Sequence, residues 1–102
     1  MPVETCTSDD GNTLTVKISG RFDISLNKTF GESYENKIES VSKVVLDMAA
    51  VQHVDSSGLG MMLVLRERFG ENKERIDIVN ADSSVAKIFE ITGYGKLFNI
   101  VS

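Results

Sequence analysis

The chain has 102 residues, 41% of them apolar and 25% charged, with a formal net charge of −4. That is one small domain, residues 1–102, with enough apolar material for a single core, so intrinsic disorder is set aside. The acidic balance excludes a general nucleic-acid binder, which needs excess Lys and Arg to displace counterions.

Val3, Thr5 and Thr7 alternate, and Ser8-Asp9-Asp10-Gly11-Asn12 supplies a turn. Thr13–Ser19 follows with Leu14, Val16 and Ile18 on one side, which predicts a hairpin with one buried face. Gly20-Arg21-Phe22-Asp23 is expected to end that strand. Leu26, Phe30, Tyr34 and Ile38 recur every four residues among charged neighbours, the pattern of an amphipathic helix. Lys43–Met48 predicts a strand buried on both faces, and Val51–Val54 a separate short extended piece. Leu59, Met62, Leu63, Arg66 and Phe69 have helical spacing, closed by Gly70, with the leucines and Met62 expected mostly in the core. Ile76–Val79 is a further strand. Asp82-Ser83-Ser84 opens a helix with Val85, Ile88 and Phe89 inward and Gly93 as its stop, and Leu97–Val101 is the last strand. The order ββαβαβαβ predicts an α/β fold: a small mixed sheet, parallel through its crossovers and antiparallel at the initial hairpin, with helices packed on it.

Most site chemistries lack their residues. One Cys (Cys6) and one His (His53) exclude a zinc centre and an internal disulfide, and Asp9, Asp10 and Asn12 are too few for a calcium loop. His53 precedes Ser56 by three residues without a G-x-S-x-G elbow, and Gly93-Tyr94-Gly95-Lys96 lacks the spacing of a P-loop. A receiver-like acidic pocket fails because Asp9-Asp10 lies in a hairpin turn; Asp47 is expected as a loop or cap carboxylate. No run approaches the ~20 apolar residues of a membrane span, and no apolar leader is present, so a cytoplasmic protein without membrane contact is expected. No acid–base pair is visible. We expect neither enzyme activity nor a cofactor.

Asp55-Ser56-Ser57-Gly58-Leu59-Gly60 stands where a strand hands over to a helix. Its plain reading is an N-cap, for which Ser57 is the better candidate. Yet two hydroxyls and a carboxylate exceed what a cap requires. Gly58 and Gly60 also lower helix propensity by about 1 kcal/mol each, so something is expected to pack closely there.

The hexad resembles the signature of STAS domains, the fold of bacterial anti-sigma factor antagonists. Gly20-Arg21-Phe22-Asp23, Val44-Val45-Leu46-Asp47 and Ile88–Gly93 are similar to further segments of that family, in the same order from Thr13 to Ile100. Many members carry one more helix after the last strand. The resemblance implies a STAS fold and phosphorylation-controlled partner switching, with Ser56 as phosphoacceptor. It further implies binding to an anti-sigma factor, often a serine kinase of the GHKL ATPase type, and resetting by a PP2C-like phosphatase. Asp23, Asp55, Ser56, Ser57, Gly58 and Met61 are then the expected partner-binding residues. Asp55 and Asp23 would orient the Ser56 hydroxyl or help a kinase metal ion, and Met61 would be partly exposed at the recognition face. A free monomer is expected. The alternative is a STAS subunit docked permanently in a lipid-transport ABC complex or a stressosome-like assembly.

Overall fold

The computed structural model describes residues 2–101. β1 (Val3–Thr7) and β2 (Thr13–Phe22) form the antiparallel hairpin, in the register Val3 to Ile18 and Thr7 to Leu14. A 3₁₀ turn (Ile24–Leu26) leads into α1 (Asn27–Glu35), followed by β3 (Lys43–Val54) and α2 (Ser56–Arg68). β4 (Ile76–Val79), α3 (Ser83–Thr92), a 3₁₀ turn (Tyr94–Lys96) and β5 (Asn99–Ile100) complete the described chain. The sheet has the order β1-β2-β3-β4-β5, antiparallel at β1 and β2 and parallel thereafter. This is the mixed α/β architecture expected from the element order.

Each parallel crossover moves the chain one strand in the same direction. Because such crossovers are right-handed, all the helices belong on one face. Side-chain burial follows that rule. Val3, Leu14, Val16, Ile18, Val44, Leu46, Ile76 and Ile78 lie on one face and are buried. Glu4, Cys6 and Lys17 on the other face are exposed, and Val45, Asp47 and Asp77 are half-buried. The expectation that β3 is buried on both faces is therefore corrected: helices cover one.

Three strand boundaries also differ. Lys43–Met48 and Val51–Val54 are one strand, β3, whose pairing with β2 slips between Lys17 and Ser19 and again between Gly20 and Arg21. Each slip places an additional β3 residue opposite β2, so the buried positions change phase from Met48 to Val51. Asp47 is thus a strand residue, accepting bonds from the Ala49 amide and Asn80 Nδ2. β2 does not end at Ser19 but continues to Phe22, using the positive φ of Gly20 (81°) to turn Phe22 inward. The last strand is two residues long, because Leu97 ends the preceding 3₁₀ turn.

α3 is bounded as expected: Asp82 caps it through the Val85 amide (2.9 Å), and Gly93 closes it in the left-handed conformation (φ 75°). The guanidinium of Arg75 ties the start of β4 to two earlier segments. It donates to the carbonyl oxygens of Ser42 (3.1 Å), Phe69 (3.1 Å) and Val41 (3.3 Å) and lies 4.0 Å from the centre of the Phe69 ring.

Candidate functional site

The hexad lies at the C-terminal end of the sheet, where β2 and β3 finish side by side. Phe22 pairs with Val54, so Asp23 and Asp55 leave neighbouring parallel strands at the same level. The Asp55 amide donates to the Phe22 carbonyl oxygen (3.4 Å), which carries that pairing one residue further.

Asp55, not Ser57, caps α2. β3 runs to Val54 and leaves Asp55 extended (φ −112°, ψ −174°), the conformation a cap requires. Its Oδ1 accepts the amides of Ser57 (2.9 Å) and Gly58 (3.1 Å). Ser57 is consequently the second helical residue and half-buried, whereas Ser56, the first, is exposed. The expectation that Ser57 is the cap is corrected: Ser57 is already helical, and its amide is one of the donors that the Asp55 carboxylate satisfies.

Asp23 performs the same task one strand away. It caps the 3₁₀ turn through the Ser25 amide (3.0 Å), accepts the Ser25 hydroxyl (2.5 Å) and faces Arg21 Nε at 3.6 Å. The Ser25 hydroxyl first, then its amide and Arg21, hold the Asp23 carboxyl below the ordinary aspartate range. Among the described residues both carboxylates are bonded to their own helix starts rather than to the Ser56 hydroxyl. The expectation that they orient the Ser56 hydroxyl is not met by any hydrogen bond among the described residues.

The two glycines separate. A Cβ on Gly58 would overlap the Phe22 carbonyl oxygen, so this glycine lets α2 seat directly on the end of β2. Gly60 has nothing within 4 Å of the equivalent position, and the expectation of close packing there is corrected. It lines instead a groove of about 510 Å³ between α1 and α2, shared by the apolar Ile24, Met61 and Val64, by Ser57, and by charged residues such as Lys28 and Arg68.

Met61 is 6% exposed, so it belongs to the core margin under the groove and not to an exposed recognition face. Leu63, expected in the core, is 40% exposed, and Val64 beside it is 48% exposed. The buried line of α2 runs through Gly58, Met61, Met62 and Leu65. Apolar residues occupy all sides of this helix, so spacing alone did not reveal which side faces the sheet. Ile24, 67% exposed immediately after Asp23, is a surface apolar residue that nothing in the local sequence distinguishes from core.

The fold and the site define a small mixed α/β module that presents an exposed serine, Ser56, at the Asp55-capped start of α2. The STAS domain family model matches residues 6–102, and the chain belongs to that family. It is 35% identical over 100 residues to a STAS-domain containing protein of Pseudomonas aeruginosa, covering 98% of this chain and 99% of that one. It is 28% identical to an anti-sigma-B factor antagonist of Staphylococcus epidermidis, covering 96% of this chain and 90% of the relative. Among solved structures it resembles the anti-sigma factor antagonist SpoIIAA in its unphosphorylated form, with TM-score 0.79, 18% identity, and 98% and 88% of the two chains covered. It also resembles Bacillus SpoIIAA in the phosphorylated form, with TM-score 0.68, 19% identity, and 98% and 91% covered.

Proposed function

We propose that this chain is an anti-sigma factor antagonist whose binding surface is switched by phosphorylation of Ser56. The observation that carries the reading is the position of Ser56. It is the exposed first residue of a helix capped by Asp55, with the apolar side chains of Ile24 and Val64 bordering the neighbouring groove. The relative named anti-sigma-B factor antagonist supports the choice of partner class. The partner is an anti-sigma factor, itself a serine kinase of the GHKL ATPase type, and a PP2C-like phosphatase restores the binding form. The chain acts by binding and not by turnover.

The switch is electrostatic. A phosphate adds a charge of about −1.5 to −2. Asp55 precedes the modified residue and Asp23 stands at the end of the next strand. In the free protein water solvates this charge, and the helix N-terminus tolerates it. An interface that covers Ser56 must remove the water, at a cost of several kcal/mol, which is enough to release a partner. The fold itself has no need to change.

The test is phosphate transfer. Incubated with ATP and the co-purifying kinase, the chain takes label on Ser56 and Ser56→Ala takes none; label retained by that variant overturns the assignment. Co-purification with a transporter ATPase that is indifferent to Ser56→Asp would replace the switch by a permanent assembly role.

A further inference from the structure

The first turn of α2 contains Gly58, and Gly60 follows directly after it; each glycine loosens a helix relative to alanine. The Asp55 cap holds this turn from its N-terminal side, and the contact of Gly58 with Phe22 holds it from the strand side. A third support comes from 35 residues further along the chain, where the phenolic O–H of Tyr94 donates to the Leu59 carbonyl oxygen at 2.9 Å.

We infer that Tyr94 is a positioning residue for the Ser56 turn, pinning it to the aromatic group that follows α3. Its functional meaning rests on the phosphoacceptor reading of Ser56, whereas its geometry does not. Tyr94 is well placed to act as a fixed anchor. It is 7% exposed, and its ring stacks on Phe89 (centroids 6.0 Å apart, planes at 18°) and on Phe98 (5.4 Å, 26°). Burial raises its phenol above the ordinary tyrosine value, which keeps the proton available for donation. The Leu59 carbonyl is also the helical acceptor for the amide four residues on, and its second lone pair takes the phenol. α3 provides an internal comparison. It opens on the same Asp-Ser-Ser sequence, Asp82-Ser83-Ser84, with Val85 and Ala86 where α2 has Gly58 and Leu59.

Tyr94→Phe tests this directly, because it keeps the ring stack and removes one oxygen. The measurement is residue-by-residue amide hydrogen exchange by NMR on the whole chain, with no partner present. The amides of Leu59 to Leu63 should exchange about fivefold faster, the effect of losing one hydrogen bond from a local opening unit. The Ser56, Ser57 and Gly58 amide resonances should shift. Exchange at Val44 and Leu46 in β3, and at Val85 and Ala86 in α3, should stay within about twofold. Unchanged exchange in α2 overturns the inference. So does a uniform acceleration across the chain, which would make Tyr94 an ordinary core residue. Failure of wild-type Ser56 to accept phosphate would sink the functional reading and leave this exchange pattern standing.

Discussion

Gly58 faces the backbone carbonyl of Phe22 so closely that a methyl group on it would overlap the oxygen and stand 3.1 Å from the carbonyl carbon. The obstacle is backbone, not the tip of a side chain, so α2 itself would have to lift from the end of β2. Alanine normally strengthens a helix relative to glycine by about 1 kcal/mol. At this position overpacking outweighs that gain, and Gly58→Ala should lose about 1–3 kcal/mol. Gly60→Ala, with open space at the same atom, should gain up to about 1 kcal/mol. Urea unfolding of the two variants checks the opposite signs. Equal shifts would deny Gly58 its special contact.

The assignment of the cap separates just as cleanly. Asp55 Oδ1 serves two amides, while the amide of Ser57 is one of the donors it satisfies. Asp55→Ala should therefore cost about 1 kcal/mol, with Asp55→Asn retaining most of the stability because asparagine also caps. Ser57→Ala should stay within about 0.5 kcal/mol of wild type. Chemical denaturation decides between them. A Ser57→Ala loss as large as that of Asp55→Ala would return the cap to the serine.

What was legible in the sequence followed from short-range signals. The hairpin came from alternation in Leu14, Val16 and Ile18, and α3 from Asp82 and Gly93 at its two ends. The hexad was recognisable because its residues are contiguous. What was not legible depended on contacts between distant segments. The slips in β2–β3 pairing change the phase of burial within β3, so one strand resembled two. The open sheet face follows from crossover handedness and not from the composition of β3. The side of α2 that faces the sheet carries the Gly58 contact with the Phe22 carbonyl, which joins distant segments and leaves no local pattern. The Tyr94 bond to Leu59 spans 35 residues and leaves no local pattern.

Acid should weaken the fold through the aspartates at turns and helix starts. The Val85 amide first, and then the Ser84 hydroxyl, hold the Asp82 carboxyl below its usual 3.8. A carboxyl depressed in the folded state contributes stability that is present above its unfolded value and lost as pH falls through the folded one. Asp82→Asn keeps a capping oxygen and removes only the charge. The Tm difference between wild type and this variant should thus be steady above about pH 5 and close toward about pH 2. Asp10 and Asp23, lowered chiefly by the hydroxyls of Ser8 and Ser25, keep part of the acid sensitivity in the variant. Thermal melts across that range check it; a difference that widens in acid would reverse the sign.

Negative charge at Ser56 should leave the fold intact. Ser56 is exposed at the start of α2, and the first turn of that helix contains no acidic residue. An added carboxylate gains about 0.3–1 kcal/mol from the helix dipole at low salt. Repulsion from Asp55 opposes this, and the two exposed effects are of similar size. Ser56→Asp should consequently melt within a few °C of wild type, with the small difference shrinking at about 1 M salt as screening removes both terms. Calorimetry at low and high salt measures this without any partner. A fall in Tm of more than about 10 °C, well beyond what 1 kcal/mol produces in a chain of this size, would mean that the serine is held inside the fold. Ser56 could not then be a free switch, because modifying it would unfold the surface it is meant to control.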